Sequence, residues 1–126
     1  MEQKILKIAL FIGGLAIIMG AFGSHLFKQY LTENQLHSFE IGVRYQMYHA
    51  LFLLFIGQTK FLTDRTKLQI FRTTILGVLF FTGSIYVLSF KNYIPFSVRF
   101  LGPITPIGGA FLIFSWVWAG FKIIKN

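Results

Sequence analysis

The sequence predicts an all-α fold: a polytopic integral membrane protein with four transmembrane helices in a compact up-down bundle. Three observations carry this. Hydrophobic residues make up 55% of the 126 and charged residues only 13%, with mean hydropathy +0.65, too little charge to coat a soluble domain. Four apolar stretches alternate with polar breaks. The basic residues gather at the ends of those stretches, as topology signals do and a continuous nucleic-acid footprint does not. The net charge of +8 is therefore read as contact with membrane lipids, and nucleic acid is excluded as a partner. The absence of cysteine removes disulfides and thiolate chemistry.

The spans are expected at about 5–25, 38–60, 70–90 and 105–122. In the first, Ile8 to Gly23 carries no charge and follows Lys4 and Lys7. Ala21-Phe22-Gly23 has the form of a signal-peptide cleavage site. Against that reading, Ala9/Gly13 and Ala16/Gly20/Ser24 form small-xxx-small rows, which let helix backbones approach and have no use in a discarded leader. A retained helix is expected. Thr32 to Gln35 has the form of a capping box, so the second helix starts near Glu33, with an interfacial stretch at 33–40, and runs to about Phe61. Asp64 is the expected N-cap of the third helix, whose uncharged run is Thr73 to Phe90. Arg65, Gln69 and Arg72 form a solvated stripe on its entry. Thr105-Pro106 reads as an N-cap followed by proline at the first helical position of the fourth. Trp116 and Trp118 near its far end suit a membrane interface.

Four spans place both termini and the middle connection on one side. That side holds Lys4, Lys7, Lys60, Arg65, Lys67, Arg72, Lys122 and Lys125; the other holds Lys28, Arg44, Lys91 and Arg99. The bias puts both termini on the cytoplasmic side.

The second helix carries the chemistry. On a helical wheel Leu36, Val43, Met47, Ala50 and Leu54 form one apolar stripe, expected to face lipid. Glu40, Arg44 and Tyr48 share another face, with Gly42, Tyr45 and His49 beside it and Gln46 at its edge. Ionisable groups in a span normally turn toward protein. Glu40 precedes Arg44 in the favourable order for a helix ion pair. His49 sits near mid-span, at the expected depth of Gly83 and Ser84, where it either packs as a neutral imidazole or relays a proton. His25, Tyr86 and Thr105 complete the candidate polar cluster. Gly13, Ala16, Gly20, Gly83, Gly108 and Gly109 are the expected helix-packing positions. No catalytic set is visible. Ser24 adjoins His25 without an acid in triad logic, and the glycine pairs lack the strand-then-helix setting of a phosphate loop. Two histidines without carboxylates at ligand spacing do not make a metal site, so neither metal nor cofactor is expected.

Four segments are shared with a known group. GAFGSH at 20–25, YQMYHAL at 45–51, FTGSIYVLSF at 81–90 and GPITPIGGAFLIFSW at 102–116 resemble the signature segments of the YgdD/YwdK-like small membrane proteins. The segments fall in all four expected spans, in order. The resemblance implies a four-helix inner-membrane protein with its first helix kept and no established biochemical role. Its motif positions here are Gly20, Gly23, His25, Tyr45, Gln46, Tyr48, His49, Gly83, Ser84, Tyr86, Thr105, Pro106, Gly108 and Gly109, and it assigns none of them a catalytic or ligand role. Ser24 stands where the family usually has alanine.

Three functions fit the sequence. One is a non-enzymatic protein that packs with itself, as a homo-oligomer, or with a larger membrane complex. Another is a small transporter or channel for a proton, ion or polar solute, lined by His25, Arg44, Gln46, His49, Ser84 and Tyr86. A third is a lipid head-group binder, with Arg44 and Arg99 meeting a phosphate.

Overall fold

A computed structural model describes residues 2–123. Four long helices follow one another: α1 (Glu2–His25), α2 (Glu33–Gln58), α3 (Asp64–Ser89) and α4 (Leu101–Lys122). Short 3-10 turns at Phe27–Gln29 and Lys91–Tyr93 lead out of α1 and α3, and no strand occurs among the described residues. Lys125, one of the basic residues counted above, lies outside them.

Helices α1, α3 and α4 are long and apolar enough to cross a membrane. Four such helices were expected; α2 does not qualify, although its 26 residues reach about 39 Å. Its composition is the reason, since Glu40, Arg44, Gln46 and His49 all lower its hydropathy. The packing shows how it carries them. Helices α2 and α3 bury nine residues each, and α1 and α4 four each. So α2 and α3 are the enclosed pair, where polar groups find protein partners. The exterior is apolar: Phe11 and Phe121 are 71% and 81% exposed.

Successive helices run antiparallel. Along α1 and α2, Leu6 lies over Gly57, Ala50 by Gly13, Val43 by Gly20 and Phe39 by Gly23. The α2 stripe expected to face lipid therefore packs on α1. An apolar stripe looks the same to lipid and to a neighbouring helix; the small residues of α1 decide the matter by offering room for it. Along α3 and α4, Leu112 packs over Gly77, and Gly108 meets the α3 backbone at Phe80 and Phe81. There α3 widens into a π turn, Leu79–Gly83. Gly83, expected at a helix contact, is at none: a Cβ built there meets nothing within 4 Å. Gly42 and Gly77 provide close approaches instead, with Cβ positions 2.7 Å from Tyr86 and 2.6 Å from Leu112.

The capping box forms as expected. Thr32 Oγ1 accepts from Gln35 N–H at 3.2 Å, and Gln35 Oε1 accepts from Thr32 N–H at 3.1 Å. The cap of α3 is Thr63 and not Asp64; its Oγ1 accepts from Thr66 N–H at 3.2 Å. Asp64 becomes a first-turn acid, where it suits the helix dipole. Helix α4 starts five residues earlier than the sequence indicated, at Leu101. Pro103 falls in the first turn, whose N–H groups have no intrahelical partner anyway. Thr105 is therefore inside the helix and caps nothing; its hydroxyl donates to Leu101 O at 3.2 Å.

At the end where α1 begins and α2 finishes, Ile5, Ala9, Leu53, Ile56, Ile70 and Ala119 form the apolar core. Lys67 is buried there, 1% exposed. Its ammonium donates to Glu2 Oε1 at 2.7 Å and to Gly57 O at 3.3 Å. Glu2 precedes the uncharged run of α1. Its hydrogen bond from Lys67, and then the charge of Lys67, hold its carboxyl below the ordinary value of 4.5. The sequence placed Lys67 among the exposed topology signals. The missed signal is its phase: Lys67, Ile70, Phe71 and Thr74 share the face opposite the Arg65 stripe, and all four are buried.

Candidate functional site

The intramembrane polar residues separate into three inter-helix clasps. The first centres on Gln46. Its Nε2 donates to Ile12 O of α1 at 2.9 Å, and its Oε1 accepts from the Tyr86 hydroxyl of α3 at 2.7 Å. One side chain thus joins three helices. Gly42, one turn before Gln46, clears the way: any Cβ there would strike the Tyr86 ring.

The second is His49, 3% exposed. Its Nδ1 lies 2.7 Å from Tyr45 O, and its Nε2 lies 3.0 Å from the Trp116 indole Nε1. An indole N–H can only donate. His49 Nε2 therefore accepts, and the ring proton sits on Nδ1 and goes to Tyr45 O. Both nitrogens of a neutral imidazole are used. Phe52 stacks on Trp116 at 4.4 Å and 24°, closing the ring of contacts between α2 and α4.

The third joins α3 to α4 by hydroxyls. Ser84 Oγ and Thr105 Oγ1 meet at 2.5 Å, and Thr73 Oγ1 and Ser115 Oγ at 2.7 Å. The expected neighbour of His49 was Ser84. Depth as well as rotation separates them: Ser84 pairs with Thr105 and His49 with Trp116, eleven residues apart on α4 and so about 16 Å along it. Trp116 was itself read as an interfacial residue. Two tryptophans two residues apart point about 200° apart on a helix of 3.6 residues per turn, so they could not share one role. Trp118, partly buried against the apolar core, donates to Gln69 Oε1 at 3.2 Å with the Lys122 ammonium 4.7 Å over its ring, whereas Trp116 stays 51% exposed.

The rest of the expected cluster lies apart. Arg44 and Tyr48 are exposed on the outward side of α2, and His25 is exposed at the end of α1. Glu40 and Arg44 form no ion pair; Glu2–Lys67 is the one found among the described residues. Arg44 and Glu40 instead line a shallow outer cleft with Gly20 and Ser24. No group of three His, Cys, Asp or Glu side chains able to hold a metal occurs among the described residues. A groove of about 730 Å³ runs between α2 and α4, lined by Tyr45, Tyr48, His49, Phe55 and Trp116.

The clasps make a direct prediction. Trp116→Phe keeps the stack on Phe52 but strands His49 Nε2. It should cost about 1 kcal/mol, between the mean and maximum measured for hydrogen bonds between membrane helices. Trp118→Phe, whose bond is exposed, should cost less. Unfolding of both in mild detergent checks the order.

A family model described as "Protein of unknown function (DUF423)" matches residues 19–109. The chain is 36% identical over 116 residues to the UPF0382 membrane protein SH2409 of Staphylococcus haemolyticus, covering 89% of this chain and 91% of that protein. It is 34% identical over 116 residues to the UPF0382 membrane protein YwdK of Bacillus subtilis, covering 88% of each. A UPF0382 membrane protein of Haemophilus influenzae is 27% identical over 126 residues, covering 100% of this chain and 98% of that protein. No solved structure matches. With three apolar helices of spanning length, and a family match over most of its residues, the chain is a membrane protein that belongs to the DUF423 family of unknown function.

Proposed function

We propose that this protein is a non-enzymatic, four-span protein of the bacterial inner membrane that acts by packing with copies of itself or with other membrane proteins. One observation carries the reading: Gln46, His49, Ser84 and Thr105, the polar groups that could have served a substrate, are each engaged in helix–helix hydrogen bonds. Polar side chains used this way fix helices against one another. The transporter reading draws no comparable support, because both ring nitrogens of His49 are bonded and Gln46 is tied to two neighbouring helices. Two features support a fourth span. Helix α2 lies against α1 along its length, from Phe39 at Gly23 to Gly57 at Leu6, so it shares the depth of a helix apolar enough to cross. The basic residues divide eight to four between the two sides, which supports cytoplasmic termini.

The test is recovery in mild detergent at native expression. Co-purification of a partner, or a mass of two or more copies, is expected; a stable lone monomer contradicts the proposal. Topology is read separately. Cysteines placed singly at Asp64 and Tyr93 of this cysteine-free chain should react differently with an impermeant thiol reagent in intact cells. Labelling at 93 and not at 64 is expected, and the reverse inverts the orientation.

A further inference from the structure

The three clasps leave two buried hydroxyls without a partner, Thr74 and Thr82, and of these only Thr82 lines a cavity. Thr82, in the π turn of α3, is 2% exposed and its Oγ1 has no hydrogen-bond partner. A buried hydroxyl left in this state is costly and needs a reason. Thr82 lines a notch of about 320 Å³ between α1, α2 and α3. Ile12, Leu15, Ile75 and Leu79 form its apolar wall, and Gln46 and Tyr86 lie on its polar side. Gly83 also lines it, and this is where a Cβ meets nothing within 4 Å. The glycine that packs against no helix thus keeps the notch open. Single π turns inside α-helices are frequent at functional sites, and the volume falls at the lower end of the range for small-ligand sites.

We infer that this notch is a binding site for a lipid-soluble alcohol, an uncharged molecule with an apolar body and one hydroxyl. The polar groups select that chemistry. The Thr82 hydroxyl has a proton to donate. The Tyr86 oxygen has spent its proton on Gln46 but keeps lone pairs to accept. Thr82 and Tyr86 are four residues apart, on one face of α3. A guest hydroxyl accepts from the first and donates to the second; a ketone or ester does only half of this. A charged group finds no counter-ion there, since no Lys, Arg, Asp, Glu or His lines the notch. A phospholipid head group cannot reach it either. Gln46 lies within one turn of His49 near the middle of the span, well inside a hydrocarbon core of about 30 Å. A lone water satisfies Thr82 but leaves the apolar wall uncovered.

The experiment uses the full chain in phosphatidylcholine vesicles. It compares two photoreactive diazirine probes of equal chain length, one a secondary alcohol with its hydroxyl at mid-chain and the other the matching alkane. Adducts are mapped by peptide mass spectrometry. Labelling at Ile12, Leu15, Ile75 and Leu79 should favour the alcohol about threefold to tenfold, the worth of one hydrogen bond. Gly83→Leu should fill the notch and remove those adducts while labelling of the outer faces persists. Thr82→Val keeps the shape but removes one of the guest's two partners, and should cut the alcohol preference about threefold. Equal labelling in the unaltered protein, adducts that survive Gly83→Leu, or an alcohol preference unchanged in Thr82→Val each overturns the inference. If Gly83→Leu does not fold, the Thr82→Val comparison decides alone.

Discussion

Gly108→Ala should destabilise the protein by about 2–3 kcal/mol, near the upper end of what overpacking costs. The added methyl would sit 2.7 Å from the Phe80 carbonyl carbon and closer still to the Phe81 backbone nitrogen. Backbone cannot rotate aside as a side-chain tip can, so α4 must lift from α3. That movement also strains the Ser84–Thr105 and Thr73–Ser115 bonds to either side. Gly83→Ala is the control, the last residue of the same π turn, with open space around the new methyl. It should be neutral or slightly stabilising, because alanine is the better helix former. Equal losses for the two variants, measured by thermal unfolding in mild detergent, would refute the packing account.

Breaking the Glu2–Lys67 pair should have the next largest effect, and it should depend on which side is cut. Glu2→Gln leaves a buried ammonium with one carbonyl for company, and uncompensated buried charges are strongly destabilising. Lys67→Met removes the charge together with the need for a partner, and similar apolar replacements are often neutral. The fall in Tm should therefore be larger for Glu2→Gln, and adding Lys67→Met to it should restore much of the loss. The pair also sets a pH dependence. The carboxyl of Glu2 is held below its ordinary 4.5 by the hydrogen bond and charge of Lys67. A carboxyl lowered on folding contributes stability above its unfolded value, and loses it as pH falls through the folded value. The wild type should weaken on acidification below 4.5; Lys67→Met should lack that component. An identical acid response in both would remove the pair as its cause.

Local signals in the sequence were reliable where the chain itself completes them. Thr32 and Gln35 satisfy one another three residues apart, so the start of α2 was legible from four letters. The start of α4 was not. Thr105-Pro106 is a good local start signal, but Pro103 fits an earlier first turn equally well, and the Thr105 hydroxyl is claimed by Ser84 of α3. Depth was not legible from residue counting, which set His49 and Ser84 at one level although their α4 partners Trp116 and Thr105 lie eleven residues apart. Rotation was no more legible. Apolar stripes carry no label for lipid or helix, and the partner of His49 depends on how α4 turns. Glycine shows the same limit. Gly13 and Gly20 met the α2 side chains their spacing implied, whereas Gly83 and Gly42 exchanged the roles that sequence alone would assign. Lys67 was hidden by its type: a lysine beside Arg65 reads as a surface charge until its helical phase is set against that of Ile70.

The distance in sequence between the two ends of the Glu2–Lys67 ion pair has a bearing on how the protein is made. Glu2 and Lys67 are 65 residues apart, while most other contacts join helices that follow one another. At a synthesis rate of about 5–20 residues per second, Glu2 waits some seconds for its partner to leave the ribosome. During that interval α1 and α2 can already pair through Gly13, Gly20 and Gly57, with the amino-terminal turn still unattached. The clasp can close only when the first turn of α3 arrives, so it works as a latch on an assembled hairpin and not as a seed for it. With synthesis halted just past Lys67, a zero-length carboxyl–amine reagent should not yet join Glu2 to Lys67; with synthesis carried past α3, it should.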